Sequence, residues 1–366
     1  MNDNPLFRTF GLKSLTLPNR VVMAPMTRYF SPDGQPTQAV VDYYRRRAEG
    51  QVGLIVTEGV GIDRPAARNH PDIPHFHGRA LDTWARTVEE VHGAGGRIAP
   101  QLWHVGSAPD LIHQSKMPDP AESPSGLFSP DMRVGEVMGD GEIEAVVAAF
   151  AKAAADAKRI GFDCIEFHAA HGYLFDQFFW PTTNLRTDRY GGRSIADRVR
   201  FAVEVVRATR RAVGEDFVII MRISQWKQQD YEARVAETPQ ELEQWLTPLA
   251  DAGVDIFHCS QRRYWEPEFD GSPLNLAGWA KKLTGKATIT VGSVGLSGEF
   301  MATLTGEVKA TTASLDDLMN RLDRGEFDLV AVGRALLSDP QWLIKVRDGR
   351  QDDMKAFDVA DVANLY

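Results

Sequence analysis

Eight short apolar runs recur along the chain, beginning near Val21, Gly53, Arg97, Asp163, Phe217, Val254, Ala287 and Leu329. Each is four to eight residues long, rich in Val and Ile and without strict alternation, which is the pattern of strands buried on both faces. Between them lie stretches with helical spacing, among them Thr83 to His92, Ile143 to Lys158, Ala196 to Val213 and Glu241 to Asp251, several followed within a few residues by Gly. Strands alternating with helices require a parallel sheet. Eight such units over roughly 250 residues plus insertions predict an α/β fold, a closed (β/α)8 TIM barrel, with an open doubly wound sheet as the runner-up.

Three segments exceed what a minimal barrel needs. Residues 1 to 19 predict a hairpin ahead of the first strand, a plug over the barrel's lower end. Residues 105 to 140, rich in Pro, Gly, Ser and Asp, predict a long loop after strand 3 on the face where the strand C-termini converge. Residues 296 to 313, between the seventh strand and its helix, predict an extra hairpin. No repeat, low-complexity tract or composition break marks a linker, so residues 1 to 366 are expected to form a single domain.

Composition narrows the partners. The 366 residues are 43% hydrophobic, enough for one continuous core. Met1-Asn2-Asp3-Asn4-Pro5 lacks the basic region and apolar stretch of a secretory signal, and no apolar run approaches the ~20 residues that span a bilayer. A soluble, cytoplasmic protein without a membrane partner is expected. A formal charge of −9 and a pI near 5.5 disfavour nucleic acid, whose phosphates need clustered Lys and Arg. The two cysteines, Cys164 and Cys259, lie in strand-like segments and cannot supply the four thiolates of an iron–sulfur cluster.

The chemistry-bearing residues sit at strand ends. In a parallel barrel the side chains leaving the C-terminal ends of the strands converge on one pocket. His168 and His171 follow the fourth strand and admit three readings: a metal pair, a substrate-binding pair, or two structural histidines. A zinc site would need a third ligand, for which His104 and His258 at the ends of other predicted strands are the histidines that could join, and a water position. Tyr173, two residues on, shifts the balance, because a phenol can protonate carbon while imidazole N–H groups hold an oxygen. Arg222 closes the fifth strand and needs a negative partner, either a bound anion or a loop carboxylate. Gly292 and Ser293 after the seventh strand, with Gly333 and Arg334 after the eighth, suit a phosphate, since backbone N–H groups there approach closely and arginine adds a bidentate donor. Pro25, Met26, Thr27 and Tyr29 after the first strand, Gly59 after the second, and Gln101, Trp103 and His104 after the third suit a flat heterocycle bearing donors and acceptors. Taken singly, Thr27 and Gln101 are polar strand-end residues, and Trp103 reads equally as core.

These motifs resemble the Old Yellow Enzyme family of FMN-dependent ene-reductases from Leu6 to about Gly349. The resemblance rests on Ala24-Pro25-Met26-Thr27-Arg28, Gln101-Leu102-Trp103-His104, His168-Ala169-Ala170-His171-Gly172-Tyr173-Leu174, Asn184-Leu185-Arg186-Thr187-Asp188-Arg189-Tyr190-Gly191-Gly192 and Val332-Gly333-Arg334. It implies a single FMN-binding TIM-barrel domain in which Pro25, Met26 and Thr27 line the flavin ring and Gly59 and Gln101 hold its pyrimidine side. Arg222 would stabilise negative charge at N1 and O2, and Gly292, Ser293, Gly333 and Arg334 would hold the phosphate. It further implies that His168 and His171 grip the oxygen of an electron-poor alkene, that Tyr29 and Trp103 line the substrate, and that Tyr173 donates the proton. NADPH or NADH would reduce the flavin in the same pocket, giving ping-pong kinetics, with no resident metal, in a monomer or homodimer.

The chain departs from the family pattern at a few points. Residues 296 to 313 are longer than the family's usual link, and Arg193 is an extra residue after Gly191-Gly192. Thr27 resembles the classical members, whereas Tyr29 resembles a residue of a second group that carries cysteine at the Thr27 position. Gln261-Arg262-Arg263-Tyr264-Trp265 reads as a solvated basic loop, or as a seat for an acidic substrate or the 2′-phosphate of NADPH. Larger flavoproteins with this barrel add an iron–sulfur cluster and further domains, for which this chain has neither the cysteines nor the length. The alternative function is a metal-dependent TIM-barrel hydrolase with His168 and His171 as ligands; a non-catalytic phosphate-binding barrel leaves Tyr173 unexplained.

Overall fold

The computed structural model describes residues 4–114, 121–298, 303 and 307–366. Eight parallel strands close into a barrel: β1 (Val21–Met23), β2 (Leu54–Gly61), β3 (Ile98–Trp103), β4 (Cys164–His168), β5 (Val218–Ile223), β6 (Ile256–Ser260), β7 (Ala287–Val291) and β8 (Leu329–Val332). Each begins within two residues of its predicted start, and β8 pairs with β1 to complete the ring.

Two apolar layers explain why the strands show no alternation. Val22, Leu54, Cys164, Val218, Ile256 and Leu329 pack together inside the barrel, while their neighbours Val21, Ile55, Ile165, Ile219, Phe257 and Val330 belong to the larger core beneath the helices. A residue facing either way is buried, so both positions are apolar. Cys164 and Cys259 are buried free thiols, one in each layer, and burial pushes both well above the usual thiol range.

The N-terminal hairpin forms as expected, Phe10–Leu12 antiparallel to Leu15–Leu17. Its Phe10, Leu15 and Leu17 pack onto Leu54, Cys164 and Val218 at the strand starts, plugging the lower end. The segment after β3 contains more order than a loop. Glu122–Ser123 pairs parallel with Glu136–Val137, and Leu127–Ser129 pairs antiparallel with Met132–Arg133; residues 115–120 lie outside the described residues. The hairpin expected over 296–313 shows a Leu296–Thr312 antiparallel bridge and a Ser297 N to Thr311 O hydrogen bond of 2.8 Å, and 299–302 and 304–306 of that expectation lie outside the described residues.

The helices match with one correction. The helix expected over Ala196 to Val213 is two, Ile195–Arg198 and Arg200–Val213. The first is a capping-box turn on Ser194 and Asp197, and the Arg198 side chain donates to the Phe179, Gly192 and Arg193 carbonyls. Among the described residues, no helix is long and apolar enough to cross a membrane.

Candidate active site

β4 ends at His168, and the chain then reverses sharply. His171 (φ 64) and Gly172 (φ 86) both take the left-handed conformation, which is strained for a residue with a Cβ and is held only by firm surroundings. The reversal gathers His168, His171 and Tyr173. The His168 and His171 rings lie 5.2 Å apart at 89°. Trp103, at the end of β3, stacks on His168 at 5.9 Å and meets Tyr173 edge-on at 4.7 Å. From the loop after β5, Trp226 stacks on His171 at 4.3 Å. His171 Nε2 lies 2.9 Å from Ser260 Oγ at the end of β6, and the His171 backbone N–H donates to Ser224 Oγ.

Burial sets the protonation states. Both imidazoles are held well below the usual histidine range, first by desolvation and then by the charge of Arg222. Both are therefore neutral at neutral pH. His168 Nδ1 is buried with no hydrogen-bond partner among the described residues. The Tyr173 phenol is pushed up to about 12, chiefly by burial, while a hydrogen bond from the Gln228 side chain acts in the opposite direction. It remains a proton donor across the neutral range.

Inside the mouth of the barrel, three strands contribute one polar chain. Gln101 Nε2 donates to Glu166 Oε1 at 2.8 Å, and Glu166 Oε2 lies 2.6 Å from His258 Nδ1. Arg222 is in register with both His168 and His258. Among the described residues no carboxylate lies within ion-pair distance of it, its guanidinium makes a single long 3.5 Å hydrogen bond to Ser260 Oγ, and its Nε has no partner. The loop-carboxylate reading of Arg222 therefore fails, and a cation aimed at an anionic group remains. A cation beside both imidazoles also disfavours a metal on His168 and His171. Among the described residues the one cluster with three candidate metal ligands is His70, Asp110 and His113, which includes neither.

The remaining predicted residues fall into three groups. At the phosphate-suited end, Ser293 is left-handed (φ 50), Arg334 donates to Ser293 Oγ, the Gly298 carbonyl and the Thr303 hydroxyl, and a Cβ on Gly292 would lie 2.6 Å from the Gln261 carbonyl. Gly333 faces the first-strand loop, its notional Cβ 3.6 Å from Met26 Sδ. In that loop Pro25 is buried and Met26 and Thr27 half-buried, and the loop is anchored by Arg28 N–H donating to Glu58 Oε2 at 2.9 Å. Tyr29 packs with Trp103 and Tyr173 around Ile73 and Val105, giving one apolar wall. Gly59 is required by Trp103, since a Cβ there would lie 2.4 Å from Trp103 Cε3. His104, a possible ligand by sequence, instead bonds Glu122 and ties β3 to the wall segment.

Ser260, Trp226, Gln228 and Glu166 were not singled out by sequence, and His258, a possible third metal ligand by its strand-end position, instead bonds Glu166. Ser260 is legible as the last residue of β6, and Glu166 as the one acidic position in an apolar strand. Trp226 and Gln228 carry no such signal.

A family model described as NADH:flavin oxidoreductase / NADH oxidase matches residues 5–353. The NADH oxidase of Thermoanaerobacter brockii is 34% identical over 362 residues, covering 96% of this chain and 52% of that protein, so the chain spans about half that relative's length. The NADPH dehydrogenase of Halalkalibacterium halodurans is 31% identical over 346 residues, 93% of each chain. Among solved structures, morphinone reductase in complex with tetrahydroNAD has a TM-score of 0.79 at 30% identity, covering 98% of this chain and 93% of that one. The old yellow enzyme homologue from Zymomonas mobilis shares the fold, with a TM-score of 0.79 at 23% identity over 98% of this chain and 96% of that one.

Proposed function

The chain belongs to the NADH:flavin oxidoreductase / NADH oxidase family, and on that premise we propose that it is an FMN-dependent ene-reductase, reducing the C=C bond of an enone, enal, maleimide or nitroalkene at the expense of NADPH or NADH. Bound FMN supplies the hydride chemistry. The observation that carries the reading is the neutral His168–His171 pair, one nitrogen of it buried and unpartnered, standing beside a protonated Tyr173.

The residues present fit the cofactor. Arg222, without an ion-pair partner among the described residues and with an orphaned Nε, suits the anionic N1–O2 edge of a reduced flavin. Gln101, whose amide is oriented by Glu166, and the neighbouring Gly59 would take the pyrimidine side. Pro25, Met26 and Thr27 would lie against the ring, and Gly292, Ser293, Gly333 and Arg334 would hold the phosphate.

The substrate's oxygen gains negative charge as the β-carbon accepts hydride. Two preplaced neutral N–H donors stabilise that charge more in the transition state than in the ground state. Tyr173 O–H supplies the proton to the α-carbon, and Trp103 with Tyr29 walls the alkene from water. The same pocket admits the nicotinamide first, giving ping-pong kinetics.

The test is the visible spectrum of the purified protein followed by anaerobic titration with a para-substituted phenol. Flavin bands, a new long-wavelength charge-transfer band and turnover of 2-cyclohexen-1-one support the reading. A protein that takes up no FMN and gives no band on phenol addition overturns it.

A further inference from the structure

Lys227 Nζ and Asp176 Oδ1 form an ion pair at 2.8 Å with both side chains 0% exposed. Burying two charges costs several kcal/mol per ion before their attraction offsets it, and neither side chain reaches the pocket chemistry described above. Their places in the chain give the reason for keeping them. Asp176 lies in the first turn of the Leu174–Phe179 helix, directly after Tyr173, and its Oδ2 accepts the Gly172 N–H at 2.7 Å. Lys227 lies in the loop after β5, beside Gln228, and also donates to the Gln225 carbonyl at 2.6 Å.

The two loops are joined at the catalytic turn. His171 and Lys227 form a parallel β-bridge, Gln228 Nε2 donates to the His171 carbonyl at 3.1 Å, and the Gln228 side chain lies near enough to the Tyr173 phenol to oppose the upward push of burial on it. The ion pair thus passes through both loops immediately behind the left-handed His171–Gly172 reversal. We propose that the Asp176–Lys227 pair is a positioning device for proton donation, fixing this reversal so that the Tyr173 O–H faces the substrate's α-carbon with the Gln228 amide against its oxygen.

This rests on the ene-reductase reading. As hydride adds to the β-carbon, the alkene's electron pair forms the new C–H bond at the α-carbon with the phenol proton, and the resulting phenolate is reset by a proton from water. Burial opposes that phenolate, and the Gln228 amide and the Arg222 charge oppose the burial. The alkene step therefore depends on where Tyr173 sits, whereas flavin reduction by a nicotinamide passes no proton through it.

The test is the FMN-loaded Asp176→Leu/Lys227→Met double variant, which leaves no unpaired buried charge. Anaerobic stopped flow would follow flavin reduction by NADPH or NADH, then reoxidation by 2-cyclohexen-1-one and by ferricyanide, an oxidant that needs no carbon protonation. Misplacing the donor lowers the enone rate by about 100-fold while the other two rates change by less than about threefold. In a Tyr173→Phe background the pair substitutions add nothing further. Parental enone rates in the double variant, or losses that multiply with Tyr173→Phe, overturn the proposal while leaving the ene-reductase reading intact. An unmodified protein that fails to reduce the enone removes both. If the double variant does not fold, Gln228→Leu, which keeps the pair, gives the same selective loss, and parental enone turnover in it overturns the proposal.

Discussion

Tyr173 stands edge-on to His168, with ring centroids 4.8 Å apart and planes 73° from parallel, and Trp103 meets both rings. The contact sets a phenol directly against an imidazole. It also removes water from both, which is why the imidazole is held neutral and the phenol protonated.

Replacing Tyr173 by Phe keeps the ring, its packing on Trp103 and its edge on His168, and removes only the hydroxyl that carries the proton. The expected result is an alkene-reduction rate lower by about 100- to 10,000-fold, with flavin reduction by NAD(P)H unchanged. Because the phenol is pushed up to about 12, the unmodified alkene step declines with alkali only as that range is approached. Stopped-flow rates for the two half-reactions decide it, and full enone turnover in the variant would remove Tyr173 as the donor.

On the proposed function, His168→Ala and His171→Ala each delete one neutral hydrogen-bonding group from the place where the substrate oxygen would bind. Each should weaken a para-substituted phenol by about 10-fold or more, the equivalent of a hydrogen bond to a charged oxygen. Since both imidazoles are neutral well below the usual histidine range, affinity corrected for phenol ionisation should not change as pH rises through 6.5. Spectral titration across that range checks both statements. A step at the ordinary histidine value would mean that a charged imidazole binds the oxyanion.

Much of this site was legible because strand-end residues of a parallel barrel must converge, so His168, Arg222 and Gln101 could be placed in one pocket from their positions alone. The strand starts were legible because both faces of each strand are buried. Other features arise only from contacts distant in sequence. The two helices meet at Val199, where Arg198 reaches back to the Phe179 carbonyl, and the short strands between 122 and 137 are too brief to show a period. Lys227, in a polar Trp-Lys-Gln-Gln-Asp run, looks like a solvated loop residue until Asp176 is brought against it. The left-handed turn was half visible, since Gly172 announces it and His171 does not.

Gly59 is where the β2–β3 register shifts, and its missing Cβ leaves room for the Trp103 indole, 2.4 Å away at Cε3. Gly59→Ala should force Trp103 to move and cost about 1–3 kcal/mol of stability by overpacking. Because Trp103 stacks on His168, phenol affinity should fall with it. A variant with the parental melting temperature and parental phenol titration would show that the indole has room to shift freely.

His104 gives a stability prediction of defined sign. Its Nε2 lies 2.7 Å from Glu122, a geometry that by itself favours imidazolium, yet its Nδ1 accepts the Gly106 N–H at 3.0 Å and Arg64 already neutralises Glu122. The ring is therefore neutral with its proton on Nε2, and burial, reinforced by Arg64, pushes it down to about 3. The unfolded chain takes up a proton on this residue near 6.5, which the folded chain refuses until about 3. Its contribution is thus complete above 6.5 and lost as pH falls toward 3, with a slope of about 1.4 kcal/mol per pH unit for the one proton involved. Glu58, raised to about 7 by burial, has the opposite sign: the folded state holds its proton longer, so its contribution is lost as pH rises from 4.5 to about 7. Comparing unfolding midpoints of the parent and His104→Gln across the acid range cancels Glu58 and isolates His104. The variant, whose amide can still accept from Gly106 and donate to Glu122, should lose stability less steeply on acidification, and identical slopes would mean that His104 is protonated in the folded protein.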